Sequence, residues 1–148
     1  MNPNTSIRAI MTTRLMTVDP DDTVYKIKEI FDTHQFHHLP VVNPGQVLVG
    51  IISKEDLLKL ERLADVEQVG GNPGSDTFRH LSARDIMTEF PMHLEPEDSV
   101  GLAADIFLAN KFHALPIVED NALIGLITTH DLLKYSFESP LADSITIY

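Results

Sequence analysis

Phe36-His37-His38-Leu39-Pro40-Val41-Val42 returns 76 residues later as Phe112-His113-Ala114-Leu115-Pro116-Ile117-Val118. Outward from this stretch the match widens to residues 10–42 over 86–118, with 14 identities in 33 positions, among them Ile10-Met11-Thr12 over Ile86-Met87-Thr88. Composition alone would leave roughly two. Past Pro40 the offset falls to 75, which places one missing residue in a turn, and Gly50, Ile52, Asp56, Leu57, Leu58 and Lys59 then match Gly125, Ile127, Asp131, Leu132, Leu133 and Lys134. The chain is therefore two copies of one unit, and a unit of this size could hardly bury a core alone.

The length of 148 residues and the 43% apolar content fit one compact domain or two closely packed halves. The longest apolar stretches, Val47–Ile52 and Ala122–Ile127, are far short of the roughly 20 residues of a membrane span. Met1–Ile10 has no apolar run of the kind a secretory signal needs, so the expectation is a cytoplasmic protein with no membrane partner. With no cysteine, disulfides and thiolate chemistry are excluded. The net charge of −11 repels polyanions, so nucleic acid is not an expected partner.

Each copy reads strand, helix, strand, strand, helix. Leu15–Val18 and Pro91–Leu94 are short strands stopped by Asp19-Pro20 and Glu95-Pro96. Helices follow, capped by Asp21 or Asp22 in one copy and by Asp98 or Ser99 in the other, with Val24, Ile27, Ile30 and Phe31, or Val100, Ala103, Ile106 and Phe107, on one face. Leu39–Val42 and Leu115–Val118 suit buried strands. Turns at Asn43-Pro44-Gly45 and Glu119-Asp120-Asn121 lead back into Val47–Ile52 and Ala122–Ile127, which close hairpins before a last helix. The boundaries read as repeat 1 over 7–66, a linker over 67–82 that holds Gly70, Gly71, Asn72, Pro73 and Gly74, repeat 2 over 83–135, and a tail over 136–148. Ile145-Thr146-Ile147 in that tail alternates like an edge strand.

The sharpest chemical pattern is Gly50-Ile51-Ile52-Ser53 with Asp56, repeated as Gly125-Leu126-Ile127-Thr128 with Asp131. A hydroxyl residue with a carboxylate three positions on resembles a capping box at a helix start. The same geometry suits a ligand: a phosphate can sit at the helix amino terminus beside the hydroxyl, and the carboxylate one turn in can accept both hydroxyls of a ribose. The glycine three residues before the hydroxyl suggests that something approaches the backbone there.

These residues resemble a family, the paired cystathionine-beta-synthase (CBS) domain or Bateman module. The resemblance rests on Ile10-Met11-Thr12, Phe36-His37-His38-Leu39-Pro40-Val41 and Gly50-Ile51-Ile52-Ser53-Lys54-Glu55-Asp56-Leu57 with their counterparts, and covers residues 7–60 and 83–135. It implies an α+β fold of two tandem β-α-β-β-α repeats packed sheet to sheet around a pseudo-twofold axis. It also implies adenosine nucleotides, AMP, ADP or ATP, bound in two clefts, and a stand-alone regulatory module, not an enzyme, that signals energy state to an unknown partner. Carried over by position, Ser53 and Asp56 belong to one site and Thr128 and Asp131 to the other, while Met11-Thr12 and Met87-Thr88 line the adenine slots. The two residues before Leu-Pro face the phosphates; here they are His37-His38 and His113-Ala114.

The family commonly has arginine where this chain has His38 and Ala114. Lys54 compensates in the first site, whereas the second has Thr129 and only His130 as a basic neighbour. A ligand with few charges, AMP or ADP, is the better fit, with NAD and S-adenosylmethionine as alternatives. Two other readings stand beside this one. His34 and His38, four apart, could hold a metal on one helix, but Leu39-Pro40 starts a strand at once and the helix should end before His38. A purely structural dimerisation module is the other. The methionines Met11, Met16, Met87 and Met92 read as core filling. A wide apolar stripe on the helix from Lys54 to about Val69, with Leu57, Leu58, Leu60, Leu63, Ala64 and Val66, predicts a homodimer.

Overall fold

The computed structural model describes residues 2–67, 80–110 and 112–138. The chain divides into two compact units, one of residues 16–91 and one that joins residues 1–15 to 92–148. Both are mixed helix and sheet.

In the unit of residues 16–91, α1 (Val24–Thr33) starts at Thr23, whose hydroxyl accepts the Lys26 N–H at 3.2 Å. The cap falls one residue later than the aspartates expected from sequence. Asp22 is engaged elsewhere, its carboxylate accepting the Asp19 N–H at 2.8 Å to close the preceding turn. Val24, Ile27 and Phe31 lie on one face of α1 and are buried, as spacings of three and four along a helix require. Strand β1 (His38–Val42) pairs antiparallel with β2 (Leu48–Ser53), and the short β3 (Thr88–Glu89) adds to the far edge of β2. Helix α2 (Lys54–Glu67) follows β2 without a loop, and α3 (Ala83–Ile86) precedes β3. The core gathers Val18, Val24, Ile27, Phe31, Leu39, Val41, Ile52, Leu57 and Ala83.

The other unit repeats this pattern with α4 (Val100–Ala109), capped by Ser99, then β4 (Ala114–Glu119), β5 (Ala122–Thr128) and α5 (Thr129–Glu138). Both hairpins carry an irregularity at the same place, Val41/Val42 and Ile117/Val118. Asp120 and Asn121, at φ 52° and 68°, make the two-residue turn between β4 and β5, a left-handed pair that these two residue types tolerate. Between the paired residues Val42 and Leu48 the first hairpin is one residue longer than the second between Val118 and Leu123, so the missing residue does lie in the turn.

Leu15–Val18 and Pro91–Leu94 do not form full strands. Each contributes one parallel bridge, Val18 to Val41 and Leu94 to Ile117, since Asp19-Pro20 and Glu95-Pro96 turn the chain away at once. Val69, the linker from 68 to 79 and the expected strand at Ile145–Ile147 lie outside the described residues. Residues 80–82 are no free linker: Leu81 packs on the core and its carbonyl accepts the Val24 N–H at 3.0 Å. Among the described residues no helix is long and apolar enough to cross a membrane.

The units are not the repeats. Ser6-Ile7-Arg8, ahead of the first repeat's helix, belongs to the unit of the second repeat, and Ser82-Ala83-Arg84 belongs to the unit of the first. Ile7 is completely buried among Leu94, Ala103, Leu115, Ile117 and Ile127. The Ile7 and Arg8 N–H groups donate to Asp98 O and Pro96 O, each at 2.9 Å. Their counterparts Ala83 and Arg84 donate to Asp22 O and Pro20 O at 2.8 and 2.9 Å. Arg8 pairs with Glu97 and Glu119, and Arg84 with Asp21 at 2.9 Å. These carboxylates hold both guanidinium groups above their ordinary pKa. All five side chains are substantially exposed, so the ion pairs fix register more than they stabilise.

Candidate functional site

The exchange of segments sorts the expected site residues into two equivalent sets. Residues 16–91 hold His37, His38, Ser53, Lys54, Asp56, Met87 and Thr88, and the other unit holds Met11, Thr12, His113, Ala114, Thr128, His130 and Asp131. Each set therefore takes its Met-Thr segment from ahead of the opposite repeat.

The strand-to-helix corner is the centre of each set. The Asp56 N–H donates to Ser53 Oγ at 3.0 Å, and the Ser53 N–H to Asp56 Oδ2 at 3.3 Å. Thr128 and Asp131 repeat both bonds at 3.1 and 3.0 Å. The capping box read from the sequence is thus present at both corners, and it uses only one carboxylate oxygen of each aspartate. All four side chains are half-buried; Asp131 Oδ1 also accepts from the Thr12 hydroxyl at 3.0 Å, whereas among the described residues Asp56 Oδ1 is left within reach of a ligand.

Hairpin register sets the neighbours. His38 lies opposite Ser53 and Ala114 opposite Thr128, so the positions that the family resemblance assigns to phosphate recognition do lie beside the hydroxyl residues. The His37 carbonyl accepts the Lys54 N–H at 2.8 Å, and the His113 carbonyl accepts the Thr129 N–H at 3.1 Å. These bonds pin both exposed histidines against a helix amino terminus, where the dipole end favours an anion. Lys54 is half-buried at the first corner; at the second, Thr129 and His130 are exposed and Ala114 is buried. The first site is the more cationic.

What approaches the glycines is a methionine. A Cβ on Gly50 would overlap Met87 Sδ and stand 2.8 Å from its Cγ, while one on Gly125 would stand 2.7 Å from Met11 Sδ. Thr12 and Leu126 exchange backbone hydrogen bonds at 2.8 and 2.9 Å, and Thr88 lies opposite Ile51. The glycines therefore admit the exchanged segments, which explains their spacing without a ligand. Met11 and Met87 pack against the two cores as expected. Met16 and Met92 are instead 40% and 50% exposed and not core filling.

Helix α1 ends at His34, whose ring stacks on Phe36 with centroids 5.1 Å apart, while His38 opens β1. The two imidazoles thus sit on different elements. Among the described residues no group of three or more histidine or acidic side chains is placed to hold a metal ion.

Comparison with known proteins gives these corners a context. The CBS domain family matches residues 7–62 and again 83–138. The inosine-5'-monophosphate dehydrogenase of Methanocaldococcus jannaschii is 32% identical over 121 residues, which is 81% of this chain but 21% of that enzyme. CBSX2 of Arabidopsis thaliana, solved in complex with AMP, superposes with a TM-score of 0.74 at 27% identity, covering 90% of this chain and 96% of that one. Protein MJ1225 from Methanocaldococcus jannaschii superposes with a TM-score of 0.80 at 27% identity, over 92% of this chain and 49% of that one. The chain spans about a fifth of the dehydrogenase it matches, and the matched part carries the two repeats and no more of that enzyme. With two family matches covering most of its length, this chain belongs to the CBS domain family.

Proposed function

We propose that the protein binds adenosine nucleotides, AMP or ADP in preference to ATP, at its two strand-to-helix corners and passes occupancy to a partner protein as a regulatory module without turnover. The observation that carries this is the pair of half-buried aspartates, each held by its own capping bond beside a helix amino terminus and a pinned histidine. The AMP complex of CBSX2 supports the choice of ligand. Asp56 and Asp131 take the ribose, Ser53 and Thr128 with the helix termini take the phosphate, and Met11-Thr12 and Met87-Thr88 border the base. With one lysine and no arginine between the two sets, the charge of a triphosphate is poorly matched.

A thermal-shift comparison of AMP, ADP, ATP, NAD and S-adenosylmethionine tests this. A ligand at about 100 times its dissociation constant adds roughly 2.7 kcal/mol of stability. Unchanged melting with all five would favour a structural dimerisation module.

A homodimer through α2 belongs to the same proposal. Leu57 is buried and Leu60 packs on the core, which leaves Leu58 and Leu63, 40% and 62% exposed, as the outward part of the stripe; the side chains of Ala64 and Val66 lie outside the described residues. Leu63→Glu should shift light scattering from dimer to monomer and leave AMP affinity unchanged. A parent that is already monomeric at micromolar concentration would remove this part of the reading.

His37 is the exposed basic side chain beside the first corner. His37→Gln should weaken AMP binding and leave adenosine, which has no phosphate, unchanged in calorimetric titration; AMP affinity equal to the parent's would assign the phosphate to Lys54 and the helix termini alone.

A further inference from the structure

The two corners differ in one contact. The Thr12 hydroxyl donates to Asp131 at 3.0 Å to Oδ1 and 3.3 Å to Oδ2. Together with the Thr128 N–H on Oδ2, both oxygens of that carboxylate already have a donor. At the other corner, among the described residues, Asp56 accepts only the Ser53 N–H and no bond joins Thr88 to Asp56. The backbones are alike at this point, since Thr12 bridges Leu126 as Thr88 faces Ile51. The difference lies in how the threonine side chain is turned.

We infer that Thr12 is an intramolecular stand-in for a sugar hydroxyl, a latch on Asp131 that a ribose must displace, so that the Asp56 site fills first and the Asp131 site only at higher nucleotide concentration. The inference rests on the nucleotide-binding reading above. A hydroxyl donating to both oxygens of a carboxylate offers it what one ribose hydroxyl would. The apparent affinity of the site is then reduced by the fraction of molecules in which the latch is open. Thr12 reaches Asp131 because the exchanged amino-terminal segment is held by its own backbone bonds to β5 and by Ile7 in the core. The latch thus belongs to the crossed architecture and to neither repeat alone.

The test is calorimetric titration of the Asp56→Ala protein, in which only the Asp131 site retains its carboxylate, with and without Thr12→Val. AMP affinity should rise about 10- to 100-fold on Thr12→Val, as expected for loss of one competing hydrogen bond to a charged group. Thr12→Ser should restore the lower affinity. The gain should vanish with 2',3'-dideoxy-AMP, which has no hydroxyls to compete. Equal or weaker AMP binding by Thr12→Val would overturn the latch, and so would an equal gain with the dideoxy ligand, which marks a change in the fold of the corner. Absence of AMP binding by the parent protein would overturn the nucleotide-binding reading and the latch with it, a result distinct from a parent that binds and a Thr12→Val variant that does not gain.

Discussion

Ile7→Ala should destabilise the unit built on residues 92–138 by about 2–5 kcal/mol, although Ile7 lies 87 to 120 positions along the chain from the core residues it packs against. Ile7 is completely buried against Leu94, Ala103, Leu115, Ile117 and Ile127. Truncation removes apolar area and leaves a cavity that the neighbouring backbone cannot close, because residues 3–8 are tied by bonds from Gly101 N to Pro3 O, Val100 N to Thr5 O and Ile7 N to Asp98 O. Native-state hydrogen exchange reads the effect: protection should fall first at the amides of α4, β4 and β5. A loss confined to residues 16–91, or a total loss below about 1 kcal/mol, would contradict the exchange of segments. By the same argument residues 83–135 alone, the second repeat as read from the sequence, should not fold without the amino-terminal segment.

Asp56→Ala should weaken AMP binding at its own corner by about one to two decades, since a hydrogen bond to a charged acceptor contributes about 1.5–3 kcal/mol. The capping box adds a second effect. The variant loses the bond from the Ser53 N–H, so stability should fall by about 0.5–2 kcal/mol whether or not nucleotide is present. The two effects separate cleanly. Against 2',3'-dideoxy-AMP the parent and Asp56→Ala should bind alike if the carboxylate serves the ribose, and the stability loss should persist. Calorimetric titration beside denaturant unfolding reads both; a lowered midpoint with unchanged AMP affinity would leave Asp56 as a cap only.

Much of the corner is legible in the order of residues. Glycine, two apolar residues, a hydroxyl and an aspartate at fixed spacing specify a strand running into a capped helix, and Ser53 with Asp56 and Thr128 with Asp131 form that box. Apolar spacing locates α1 and α4, and the change of offset from 76 to 75 locates the shorter turn. The cap at Thr23 in place of Asp21 or Asp22, and the reduction of Leu15–Val18 and Pro91–Leu94 to single bridges, are harder to read. Both depend on which of several adjacent turn residues closes the turn, a choice that differs by about one hydrogen bond.

The duplication, the local elements and the residue types at each strand-to-helix corner follow from interactions a few residues apart, and the amino-acid order alone therefore specifies them. Long-range packing assigns Met11-Thr12 to Asp131 and Met87-Thr88 to the set of Asp56, and it puts a methionine, not a ligand, in the space beside Gly50 and Gly125. Ser6-Ile7-Arg8 and Ser82-Ala83-Arg84 are nearly the same triplet, and Glu97 and Asp21 offer each arginine a carboxylate in either repeat. A duplicated chain carries the same local preferences twice, so nothing short-range distinguishes the crossed pairing from the uncrossed one. That choice is made by long-range packing, with Ile7 buried in one core and Ala83 in the other.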